Sequence, residues 1–80
     1  MNPERCQLKG MLVEAKKKFR ALDTESSGLV LLLRALLNPY EEILKLETEK
    51  ILVTTQRLNS IQAEMKELAE KIQKLESELE

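Results

Sequence analysis

Apolar residues recur along this chain at the spacing of a helix face. Leu8, Leu12, Ala15, Phe19 and Leu22 are separated alternately by four and three positions, which lays them along one stripe. Asn2 suits a helix cap and Pro3 the first helical position, so a helix is expected from about residue 3 to Leu22. Gly10 falls inside it, at a cost of about 1 kcal/mol relative to alanine, and is read as tolerated.

The stretch "DTESSG", Asp23 to Gly28, then predicts a turn. Its Asp, Thr and Ser side chains compete for backbone hydrogen bonds, and glycine accepts angles that other residues avoid. The stripe nevertheless stays in phase through Ser26, Leu29, Leu33 and Leu36, so a polar spot in one continuous helix is the alternative. Beyond it, "LVLLLRALL", Leu29 to Leu37, is apolar on almost every side. A helix of that kind must be buried, and so short a chain has little with which to surround it. Leu31, Leu32, Leu33, Leu36 and Leu37 are therefore expected to pack against copies of the chain or another subunit.

Pro39 lacks an amide hydrogen and would clash with the carbonyl at position 35 if a helix passed straight through. Asn38 is a good cap, Pro39 a good first residue, and Glu41 stands three after the cap. These signals predict a break at 38–39 and a long helix starting at 39, extending roughly 60 Å if it ran to the end. Along it, Leu44, Ile51, Leu58, Met65, Ile72 and Leu79 recur every seven positions, joined from residue 61 by Ile61, Leu68 and Leu75. That is a coiled-coil seam.

The upper part of this helix differs. Its partner positions are Glu47 and Thr54, while Ile43, Leu46, Leu52 and Val53 add apolar surface on other sides. The folded-back Leu29–Leu37 segment is expected to cover that surface, with Tyr40 packed nearby. The expected architecture is all-α: a helical hairpin or small helical head over residues about 3–58, continuing into a coiled-coil stalk over 59–80. The seam does not select two strands over three, nor self-association over a different partner.

Composition supports helices. The chain has 80 residues, 34% of them charged, with one Phe, one Tyr, no Trp and no His. Charge is uneven: Met1–Leu22 carries six basic and two acidic residues, whereas Asp23–Glu80 carries seven basic and twelve acidic. A basic arm thus precedes an acidic stalk, and the two can attract each other or different partners. The apolar runs are too short for a signal peptide or a membrane span. A soluble intracellular protein is expected, with cytoplasm and nucleus not distinguished.

Little chemistry is visible. Without histidine there is no imidazole base and no Ser–His or Cys–His pair. Paired carboxylates such as Glu41/Glu42 lie on solvated helix faces, where nothing tunes their acidity. Cys6 is the sole cysteine, so neither an internal disulfide nor a thiolate metal site can form. Gly10 and Gly28 stand in no phosphate-binding pattern. No catalytic residue, cofactor or metal is expected. The cluster Lys16, Lys17, Lys18 and Arg20 is the candidate contact for nucleic acid or an anionic membrane, but a solvated or stalk-facing role is the favoured reading, since the polar face of a helix needs charges and the acidic stalk offers counterparts.

The function these features favour is a non-catalytic oligomerisation or assembly subunit of a multiprotein complex, acting through helix packing. Its partners would be protein, either copies of itself or other helical subunits. Two alternatives remain: a small adaptor whose basic first helix docks on nucleic acid or a membrane, and an amphipathic regulator that folds on its target.

Overall fold

Two stripes with the same four–three spacing, one in each half of a chain, can satisfy each other if the chain folds back between them. A computed structural model, which describes residues 3–80, has this arrangement. Helix α1 (Pro3–Leu36) and helix α2 (Thr48–Leu79) form an antiparallel hairpin 64 Å long and about 16 Å across. A single 3-10 turn at Ile43–Lys45 interrupts the connecting segment. The cap expected at Asn2 lies outside the described residues.

The core is the meeting of the two stripes. Ala15, Leu22, Ile61 and Leu68 form a buried cluster, with Phe19, Leu29, Met65 and Ile72 packed against it. Leu75 is buried farther along, and Thr54 continues the row towards the loop. Each step down α1 is matched by a step up α2: Arg5 meets Leu79, Lys18 meets Glu64, and Glu25 meets Arg57. The seam from Leu58 to Leu79 therefore packs on α1 of the same chain. An all-α hairpin is confirmed, but the coil that holds it is internal.

The turn expected at Asp23–Gly28 is absent, because α1 runs through it. The hydroxyls that argued for a turn bond back into their own helix. Thr24 donates to the Arg20 carbonyl at 3.0 Å, and Ser26 and Ser27 both donate to the Asp23 carbonyl at 2.8 and 3.0 Å. Such bonds are tolerated within helices. Leu22 and Leu29 on either side are held against α2, and packing overrides the weak local propensity.

The break at 38–39 is present, but the helix expected to begin at Pro39 begins at Thr48. The capping signals build only one turn. The Tyr40 amide donates to Asn38 Oδ1 at 3.0 Å and the Glu41 amide to the Asn38 carbonyl at 3.2 Å. The backbone then becomes extended at Glu42 and again at Leu46. One turn without tertiary support does not propagate, and residues 37–47 are needed to cross from one helix to the other.

Candidate interaction surface

The internal seam leaves apolar surface unused at the loop end, along one edge of the stem, and at Met11 and Val13 of α1, which are 41% and 62% exposed. The first is the loop end of the hairpin. Leu31 is 64% exposed, and Leu37, Ile43, Leu52 and Val53 are more than half exposed; Tyr40 and Leu44 stand at 93% and 96%. Val30 and Leu32 are less open but still exposed, whereas Leu33, Leu36 and Leu46 are half-buried. The expected cover forms only in part: Leu46 is half-buried, but Leu52 and Val53 stay open although α1 folds back beside them, and Tyr40 is almost fully exposed. A two-helix hairpin buries one stripe per helix, and this end carries apolar residues beyond that stripe.

The second is one edge of the stem. On one side of the seam Ala15, Leu22, Thr54, Ile61, Leu68 and Leu75 are buried, and Leu8, Leu29 and Leu36 are half-buried. Those on the other side are all half-buried: Leu12, Phe19, Ser26, Leu33, Ile51, Leu58, Met65, Ile72 and Leu79. The cause lies in the flanking residues. On the buried side, Lys18 pairs with Glu64 at 3.0 Å, and Arg57 makes a two-pronged contact with Glu25 at 2.7 and 2.9 Å, closing over the seam. On the other side Thr55, Gln62 and Ala69 flank the seam together with the charged Lys66 and Glu76. An open groove of about 620 Å³ runs there between Phe19, Ser26, Val30, Leu58 and Met65. Lys16 and Glu76, 3.9 Å apart, lie towards the far end of the hairpin from the loop.

The seam residues expected to bind a partner thus divide. Ile61, Leu68 and Leu75 are consumed by α1, while Ile51, Leu58, Met65, Ile72 and Leu79 are shared between α1 and solvent. Thr55, Ala69 and Ser26, which shape the groove, carry no apolar signal. Only the alternation of burial in three dimensions exposes their role.

The basic cluster also divides. Lys16 and Lys18 reach Glu76 and Glu64 on α2, and Lys17 and Arg20 are exposed. Charge attraction between the basic arm and the acidic half is thus partly realised within the chain. Hydrogen bonding to Arg57 holds the Glu25 carboxyl below its ordinary range, and the same contact raises the Arg57 guanidinium.

Among the described residues no group of three or more His, Cys, Asp or Glu side chains could hold a metal ion. No buried side-chain polar atom lacks a partner among them. Thr54, the buried polar residue of the seam, donates to the Lys50 carbonyl at 2.7 Å. Cys6 is free and exposed. None of the described helices is long and apolar enough to cross a membrane. No family model matches the chain, and neither does any curated protein or solved structure.

Proposed function

We propose that this chain is a non-catalytic helical assembly module that binds protein through the apolar loop end of its hairpin. The observation that carries this reading is the concentration of exposed large apolar residues there: Leu31, Leu37, Tyr40, Ile43, Leu44, Leu52 and Val53. Exposed large apolar residues gathered in one region mark interaction surfaces. The stem supports the same reading as a rigid arm that presents that end. Against the adaptor alternative, in which the first helix binds nucleic acid or a membrane, stands the pairing of Lys18 with Glu64 at 3.0 Å.

Photo-crosslinking tests the reading. A photoreactive residue replaces Tyr40 in one version and Glu70 on the stem in another, in cells that make the chain. Discrete protein adducts are expected from position 40, lost when Leu31→Asp and Leu44→Asp are added. Adducts no more frequent at position 40 than at position 70 overturn the assignment of the loop end.

A further inference from the structure

We propose that the outward side of α1, away from α2, docks on the surface of an anionic lipid bilayer. This goes beyond the loop-end reading and does not rest on it. Lys18, paired with Glu64, takes no part. The cations that matter are Lys9, Lys16, Lys17, Arg20 and Arg34, all of them exposed. At about 100° per residue they fall within an arc of roughly 100° on the outward side of the helix. From Lys9 to Arg34 the row spans about 37 Å.

The row has no internal neutralisation. Of the acidic residues of α1, Glu4, Glu14 and Glu25 fall outside the arc, and Asp23 stands at its margin. Lys16, at the same margin, reaches Glu76 at 3.9 Å. Lys9, Lys17, Arg20 and Arg34 have no ion pair among the described residues. The outward side of α2 has the opposite balance, with Glu49, Glu67, Glu70 and Glu78 against Lys66 and Lys74, all exposed. The hairpin is therefore polarised across its width, and a negatively charged plane orients it with α1 downward.

The apolar residues of the same arc select a bilayer among anionic surfaces. Val13 and Leu31, 62% and 64% exposed, lie near its midline, between the cations. A phosphate backbone or a row of carboxylates offers them nothing. At a bilayer they enter the boundary below the headgroups, while the Lys and Arg stems lie alongside and their charged ends stay at the phosphates. Shape agrees. A flat surface meets every cation of a straight row at once, whereas the phosphates of a duplex wind away from it. An acidic helix would gain only exposed ion pairs, which contribute little singly. Attraction to an anionic bilayer is collective, about fivefold in affinity for each cation. Two apolar residues anchor weakly, so the docking is reversible and weakened by salt.

Vesicle flotation of the full chain tests this. One vesicle preparation holds equal parts of phosphatidylserine and phosphatidylcholine, and the other holds phosphatidylcholine alone. Binding at least tenfold tighter to the mixed vesicles is expected. Lys17→Glu with Arg20→Glu should lower it tenfold or more, with the helical circular dichroism of the hairpin retained. Lys74→Glu, on the outward side of α2, should leave it unchanged, and Val13→Ser should weaken it severalfold. Equal binding to both vesicles overturns the proposal, as does a charge-reversed double variant that still floats with the mixed ones. Tighter binding to duplex DNA or to polyglutamate than to the mixed vesicles overturns the bilayer as occupant. The crosslinks at position 40 depend on none of these cations, so the loop-end reading stands or falls separately.

Discussion

At the scale of single residues, Ile61 is the centre of the hairpin, with 0% of its surface exposed. It lies among Ala15, Leu22 and Leu68, which have no freedom to collapse into a void without moving a helix. Ile61→Ala should cost about 2–5 kcal/mol, read as a shift in the urea midpoint followed by helical circular dichroism. The same truncation at Leu44, which is 96% exposed, should leave the midpoint in place. Glu25 makes a different prediction. Its carboxyl is held below the ordinary value of 4.5 by the Arg57 hydrogen bond. The contribution is therefore fully present above that value and lost as pH falls through the lowered one. Comparing wild type with Glu25→Gln by thermal melting should give a constant gap near neutrality that closes in acid. A gap that persists at the acid limit would mean that the contact acts through packing rather than charge.

At the scale of elements, the two glycines of α1 are a simple test of how firmly packing has set the helix. Added Cβ atoms at Gly10 and Gly28 meet nothing within 4 Å, and neither residue has positive φ. Gly28→Ala should therefore stabilise the hairpin by about 0.5–1 kcal/mol. A destabilised variant would show that the backbone at this point flexes in a way the straight helix does not reveal. The helices themselves were legible from the sequence as two stripes, Leu8–Leu22 in one and Leu58–Leu79 in the other. What did not follow was that they complete each other. A heptad seam reads alike whether its partner is another copy or an earlier part of the same chain, and only the connection decides. The polar stretch at Asp23–Gly28 misled because local hydrogen-bonding preference is weak beside the burial of Leu22 and Leu29. Its phase match with the flanking stripe was the better signal. At Asn38–Pro39 the stop was legible and the restart was not, since a cap specifies where a helix can begin and not whether it is supported. The apolar loop end was visible as an excess of leucine, whereas the open groove rests on Ser26, Thr55 and Ala69, residues whose smallness matters only beside Phe19 and Met65.

At the scale of the whole molecule, the hairpin is an elongated body 64 Å long, held together by the seam between α1 and α2. If that seam suffices, the melting temperature should not change with protein concentration; a value that rises with concentration would show that a second copy contributes. Screening by salt should weaken Lys18–Glu64 and Glu25–Arg57, lowering the melting temperature slightly.

The bond from the Arg5 guanidinium to the Leu79 carbonyl, 2.8 Å long, sets the starts and finishes of the two helices side by side, far from the loop. Force applied between residues 5 and 79 would therefore peel the helices apart one layer at a time, beginning at that bond, as a zipper opens. Force applied between the loop and the opposite end would instead pull along the helix axes. Mechanical strength is thus a matter of direction: the same hairpin is a weak clasp when its ends are drawn apart and a stiff strut when loaded along its length.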